Sequence, residues 1–344
     1  MSEYYDGTKL LSMKDINGRK PEIYLCTTNR TGGKTTYFSR LCVNRFLDKG
    51  EKFCILYRYK YELDNVAEKF FKDIGILFFD GHTMTEKKQS KGVFVELFLD
   101  KEPCGYAVAI NCASTIKNMS HIFSDVSRIL FDEFQPETGN YCPDEVKKFI
   151  SIHTSIARGR GEQTRYVPVY MLSNAISILN PYYMELDIAK RLDNKTKFLR
   201  GNGFVLEQGY IESASRKQKD SGFNQAFAGN RYVTYASENI YLNDNAAFVE
   251  NAEGRNRYIC TLRYNGTDYG VREYTDLGII HCSTKADSTF PVKIAITTED
   301  HTINYVILNK NNFFLSNLRT LFERGCFRFQ DLRCKEAVLR ALSY

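Results

Sequence analysis

The chain has 344 residues, 43% of them hydrophobic, with a formal net charge of +6, which points to two domains and is only mildly suggestive of a polyanionic partner. No run reaches the roughly 20 apolar residues a membrane-spanning helix needs, the ten scattered cysteines include no Cys-x-x-Cys pair, and the five histidines never share metal-ligand spacing, which argues against a membrane protein, a zinc domain and a disulfide scaffold. The start, Met1-Ser2-Glu3-Tyr4-Tyr5-Asp6, has neither part of a signal peptide, and the cysteines read as buried thiols, so a reducing cytoplasm is expected.

In chain order, the apolar run Ile23 to Cys26 predicts a strand. It leads through Asn29-Arg30-Thr31-Gly32-Gly33-Lys34-Thr35-Thr36 into a helical pattern with Phe38, Leu41, Cys42 and Phe46 on one face, ended by Gly50. Strand, loop, helix is the context of a phosphate-binding loop. Its backbone N–H groups would cradle ATP phosphates at a helix N-terminus, with Lys34 on the β/γ-phosphates and the Thr35 hydroxyl on Mg²⁺. Thr28 stands where the eight-residue motif usually begins with glycine.

Phe53 to Tyr57 predicts the next strand, Asp64 to Ile74 a helix, Ile76 to Phe79 a strand, and Val93 to Leu99 with Tyr106 to Cys112 a hairpin around Lys101-Glu102-Pro103. Arg128-Ile129-Leu130-Phe131-Asp132-Glu133 reads as a buried strand whose exit carries two carboxylates, which alternation turns to different sides. Asp132 is then the residue to hold Mg²⁺ through water, and Glu133 the one to orient and deprotonate the attacking water. Asp144 to Arg158 predicts a helix with Val146, Phe149, Ile150, His153 and Ala157 inward, and Val167 to Leu172 another core strand, ending at Ser173-Asn174. Asn174 is a candidate contact to the γ-phosphate or the attacking water, or else a helix cap.

After about Gln208 the composition shifts, and Ser213 to Asn230, rich in Ser, Lys, Gln and Gly, reads as part of a connecting segment. Beyond it, Tyr258 to Tyr264, Asn265-Gly266 and Tyr269 to Tyr274 form the best hairpin signal in the chain. Gly278 to Cys282 and Val292 to Thr297 predict two more strands, and Leu315 to Glu323 and Lys335 to Leu342 two helices.

In series, the phosphate loop, Leu56-Tyr57-Arg58-Tyr59-Lys60-Tyr61-Glu62-Leu63, Ile129-Leu130-Phe131-Asp132-Glu133-Phe134, Arg158-Gly159-Arg160, Leu172-Ser173-Asn174-Ala175 and Asn180-Pro181-Tyr182 resemble the genome-packaging ATPase of small, protein-primed tailed phages of the Picovirinae type. The resemblance implies an α/β chain: an N-terminal P-loop ATPase domain of the ASCE/RecA-like kind over 1–208 with a mostly parallel sheet, a linker over 209–240, and a vestigial ribonuclease H-like domain over 241–344. It also implies a homomeric ring, pentameric in the family, docked on the portal of a procapsid in the cytoplasm of the infected host. That ring would drive double-stranded viral DNA inward on ATP and Mg²⁺, with a packaging RNA where one exists.

Residue by residue, the family places Arg30 as the loop arginine, Lys34, Thr35, Asp132 and Glu133 as above, and Asn174 as the coupling residue. Arg158 matches an arginine finger supplied in trans, with Arg160 as its understudy; read without the family, both are solvated charges closing a helix. Arg58 and Lys60 fall where the family carries basic residues near the nucleotide or subunit boundary. The strand Arg257 to Arg263 lacks the carboxylate with which a two-metal nuclease begins, so no cutting is expected, and Asp268, Asp276, Asp287, Glu299 and Asp300 read as turn and cap residues. The rival readings are a terminase with an active nuclease and a P-loop small-molecule kinase.

Overall fold

The computed structural model describes residues 4–158, 162–189, 191–192, 196–238, 241, 248–309 and 311–343. The chain divides into two compact units, 1–243 and 244–344.

The first unit contains, in order, α1 (Thr8–Ser12), β1 (Ile23–Thr27), α2 (Lys34–Lys49), β2 (Lys52–Tyr57), α3 (Val66–Phe78), β3 (Met84–Gln89), β4 (Phe94–Leu99), β5 (Glu102–Ala109), α4 (Ala113–Asn118), β6 (Val126–Asp132), α5 (Glu145–Ile156), β7 (Val169–Ser173), α6 (Pro181–Glu185), β8 (Phe198–Arg200), β9 (Phe204–Gln208), α7 (Glu212–Lys219), α8 (Gly222–Ala226) and α9 (Arg231–Glu238). Among the described residues, nine strands form one sheet in the order β3-β4-β5-β2-β6-β7-β1-β9-β8. From β5 to β9 every neighbour is parallel, and antiparallel strands cover both edges.

The near-continuous apolar runs of the central strands follow from burial on both faces. Leu25, Ile129, Phe131, Val169 and Met171 point into a core with Phe149, Ile152 and Ile156 of α5 and Tyr182 of α6. Their alternating neighbours Tyr24, Cys26, Leu130, Tyr170 and Leu172 point into a second core with Phe38 and Cys42 of α2 and Phe71 and Ile74 of α3. The phosphate-loop helix and α5 therefore lie on opposite faces.

Three expectations change. Ile76 to Phe79 is not a strand: α3 continues to Phe78, its buried stripe of Val66, Ala67, Phe71 and Ile74 leaving Ile76 and Leu77 exposed. On α5 the inward face is shifted, with Ile152 and Ile156 buried and Ile150 exposed. The connecting segment is no linker: residues 209–238 carry α7 to α9 and belong to the first unit.

The second unit has β10 (Arg257–Tyr264), β11 (Thr267–Tyr274), β12 (Ile279–Ser283), β13 (Lys293–Ala295), α10 (Phe313–Glu323), β14 (Phe327–Phe329) and α11 (Leu332–Ser343). Its sheet runs β13-β10-β11-β12-β14: three antiparallel strands, with β13 parallel beside β10 and β14 parallel beside β12. Asn265 and Gly266 turn the predicted hairpin with positive φ at both positions, as a two-residue primed turn requires, and the Asp300 carboxylate accepts both of their backbone N–H groups at 2.8 and 2.7 Å.

Candidate active site at the C-terminal edge of the central strands

Because β1, β7 and β6 are parallel neighbours, their C-terminal ends share one edge. The loop after β1, Asn174 after β7 and the acid pair after β6 thus converge although they are about 100 and 140 residues apart in sequence. Insertion of β7 between β1 and β6 leaves Asn174 between loop and acids, where the Lys34 ammonium donates to its Oδ1 at 2.7 Å.

Gly33 caps α2 with φ of 90°, a conformation that favours glycine, and it opens the helix N-terminus. Gly32 must stay bare for a different reason: a Cβ there would sit 2.9 Å from Ile211 Cγ1. Ile211 is pinned against the loop by Asn29, whose Oδ1 accepts from its N–H at 2.8 Å and whose Nδ2 donates to its carbonyl at 3.1 Å. Gln218 of α7 donates to the Thr31 hydroxyl at 2.9 Å, and the Arg30 N–H donates to the Ala236 carbonyl of α9 at 3.0 Å. Thr35 is exposed in the first turn of α2, and Thr36 is half-buried behind it.

Arg30 is engaged outside the loop. Its guanidinium pairs with Glu137 at 2.6 Å and hydrogen-bonds Tyr232, while the Tyr235 hydroxyl donates to the same carboxylate at 3.1 Å. Glu137, Tyr232, Tyr235, Gln218 and Ile211 escaped the sequence reading, since each lies in a polar or irregular stretch and meets the loop across roughly 100 residues or more of chain.

Lys34 is buried and, among the described residues, has no ion-pair partner. Burial pulls its pKa below the ordinary lysine value, opposed by the pull of Asp132. A triphosphate would supply the missing counter-charge. Thr35 and Asp132 offer the oxygen donors Mg²⁺ takes, so the residues fit the metal-nucleotide pair. Asp132 ends β6 half-buried, and its Oδ1 accepts the Glu133 N–H at 2.9 Å. Glu133 leaves the strand with φ of 55°, so a left-handed backbone rather than strand alternation separates the two acids. Although the Glu133 side chain opens to solvent, desolvation by the surrounding protein, then the Asp132 and Glu137 charges, raise its pKa.

Arg158 is exposed, follows α5 and precedes β7. Nearby, Arg165 donates to the Ile156 carbonyl at 2.7 Å and to the carbonyl of Val126, the first residue of β6, at 3.0 Å. This turn therefore sits at the N-terminal edge of the strands, a strand length of roughly 15–20 Å from the protein's own phosphate loop. Arg165 satisfies the end of α5. Arg160 lies outside the described residues. Arg58 is buried in an ion pair with Glu145 and reaches the Glu133 carbonyl, and Lys60 donates to the Lys91 carbonyl at the surface.

Of the second unit's carboxylates, Asp268 is committed to Arg263 at 2.7 Å and Tyr305 at 2.8 Å, Asp300 to the hairpin turn, and Asp287 to Thr289. Several basic positions are likewise engaged, Arg257 with Glu273 and Arg328 with Glu250.

A parallel sheet flanked on both faces, with a glycine-turned loop, a buried lysine, a polar strand end and an acid pair along one edge, defines a P-loop ATPase of the ASCE/RecA-like class. The family model of the podovirus DNA encapsidation protein (Gp16) matches residues 1–342, and the chain belongs to that family. It is similar to the DNA packaging protein of Bacillus phage phi29, 26% identical over 347 residues and covering 100% of this chain and 96% of that one. The DNA packaging protein of Bacillus phage B103 is 26% identical over 303 residues, 87% of this chain and 89% of that one. Among solved structures, the bacteriophage phi29 viral genome packaging motor assembly matches with a TM-score of 0.69 at 25% identity, over 100% of this chain and 98% of that chain. The phi28 gp11 DNA packaging motor shares the fold, with a TM-score of 0.60 at 15% identity over 100% and 99%.

Proposed function

We propose that this chain hydrolyses ATP to drive double-stranded viral DNA into a preformed procapsid, acting in the host cytoplasm as a homomeric, pentameric ring docked on the portal vertex. The observation that carries the reading is the Lys34 to Asn174 contact beside Asp132 and Glu133, which ties phosphate binding to a strand end that can report it. Thr35 and Asp132 would hold Mg²⁺, which when bound neutralises phosphate charge. Glu133 orients a water and takes its proton, and its raised pKa brings it closer to the working pH of a base. Lys34 and the backbone of residues 30 to 36 bind the phosphates. Loss of the γ-phosphate would return Lys34 to Asn174, the contact made without nucleotide, and shift the segment behind it.

The location of Arg158 supports completion of the pocket in trans: it is solvent-facing at the sheet edge away from its own phosphate loop. A neighbour's guanidinium would stabilise charge on the transferring phosphoryl group. The second unit serves to anchor the ring and guide DNA without cutting it, a reading supported by the local structural roles its carboxylates already fill. Replacing Glu133 with Gln is expected to leave ATP affinity intact while turnover falls about 10²-fold or more; hydrolysis at the wild-type rate would exclude the role.

A further inference from the structure

Arg58 follows directly on β2, the strand beside β6, and its side chain is 6% exposed. Its Nε and Nη2 donate to Glu145 Oε2 and Oε1 at 2.8 and 2.9 Å. The remaining donor capacity goes to the backbone beyond the acid pair: Nη1 to the Glu133 carbonyl at 3.3 Å and Nη2 to the Phe134 carbonyl at 3.0 Å. Glu145 is itself held, accepting the Cys142 N–H at 2.8 Å and the Tyr182 hydroxyl at 2.9 Å. Serving a carboxylate and two carbonyls at once takes the planar fork of a guanidinium; a lysine ammonium in the same space reaches only part of the set.

Glu133 is the residue in this stretch that needs holding. Its φ of 55° is uncommon for a side chain larger than glycine and persists only where the surroundings fix it. We infer that Arg58 is a positioning residue for ATP hydrolysis: by gripping the carbonyls of Glu133 and Phe134 it keeps Glu133 in its left-handed conformation, with its carboxylate facing the phosphate site, while Glu145 and Tyr182 fix Arg58. Tyr182 lies on α6, downstream of Asn174, so the brace joins the acid loop to the segment that follows the phosphate contact. The inference rests on the reading of Glu133 as the base.

The test is Arg58→Lys in the full chain, with ATP affinity and saturating turnover measured separately, alone and in the Glu133→Gln background. Displacement of Glu133 predicts ATP affinity within about threefold of wild type and kcat down by about 10²-fold. In the Glu133→Gln background, Arg58→Lys is then expected to lower the residual rate no further, because both changes act through one group. Wild-type kcat in Arg58→Lys, weakened ATP binding with kcat unchanged, or a full additional loss in the double variant would each overturn the inference. Should Arg58→Lys fail to fold, Tyr182→Phe removes one hydroxyl from Glu145, and a smaller loss of kcat at unchanged affinity is expected; unchanged kcat overturns the inference. Glu133→Gln separates the two readings: if it turns over normally the assignment of Glu133 as the base falls and the brace with it, and if it is inactive while Arg58→Lys is normal only the brace falls.

Discussion

Glu133 shows how much of the site is decided by single residues. Its carboxyl is pushed above the usual range by desolvation and by Asp132, Glu137 and Glu62, with Arg30 pulling the other way. A base works only when deprotonated, so kcat/KM, which reports the enzyme without nucleotide, is expected to fall as pH drops through this raised pKa, placing the acidic limb of the kcat/KM profile above the ordinary glutamate value of about 4.3. Asp132→Asn, which removes the nearest raising charge, does not serve as the control because Asp132 is in the site; Glu137→Gln does, and is expected to move the limb to lower pH. A limb at or below the ordinary value in wild type would contradict the role. At this scale the meeting of Asp132, Glu133 and Asn174 at one edge was legible because each follows an apolar run that marks a strand, and that of Lys34 and Thr35 because Gly32-Gly33 opens the helix after the first strand. Glu137 and Glu145 were not, since a lone acid in an irregular stretch carries no sign of the arginine it will meet.

At the scale of elements, the loop after β6 and the loop after β7 are fastened together by Gln135. This buried side chain accepts the backbone N–H groups of Ile176 and Ser177 at 3.2 and 3.0 Å through one oxygen, and the Gln135 backbone carbonyl lies 3.3 Å from the Ser173 hydroxyl, which also donates to the Asn174 carbonyl at 2.7 Å. Gln135→Ala strands two donors, so stability measured by urea unfolding is expected to drop by about 1–3 kcal/mol; an unchanged midpoint would show that the two loops hold without it. The central strands and α2 were legible from unbroken apolar runs and helical spacing. Residues 209–238 were not: with few aliphatics their composition reads as a linker, yet they dock through polar contacts, Asn29 on Ile211 and Gln218 on Thr31, which leave no hydrophobic period to detect. Ile76 to Phe79 failed for the opposite reason, because a short apolar run suits a strand and a helix end equally.

For the whole molecule, the division into two units was visible as a shift in composition: the second unit begins at 244, close to the expected 241, while residues 209–238 belong to the first unit instead of a separate linker. The packing of α7 to α9 against the phosphate loop places the end of the first unit in contact with Arg30 through Tyr232 and Tyr235. A change in the loop on ATP binding would thereby reach the last helix before the second unit. The pocket is nevertheless incomplete without a second copy on this account, since Arg158 stands at the wrong edge of its own sheet. That claim is tested most directly by mixing two inactive variants, Arg158→Ala and Glu133→Gln, in equal amounts and assaying ATP hydrolysis with DNA and procapsids. Random co-assembly gives some pockets both an intact Glu133 and a neighbour's intact Arg158, so the mixture is expected to regain on the order of a quarter of wild-type turnover. A co-assembled mixture as inactive as either variant alone, or wild-type turnover by Arg158→Ala by itself, would contradict it.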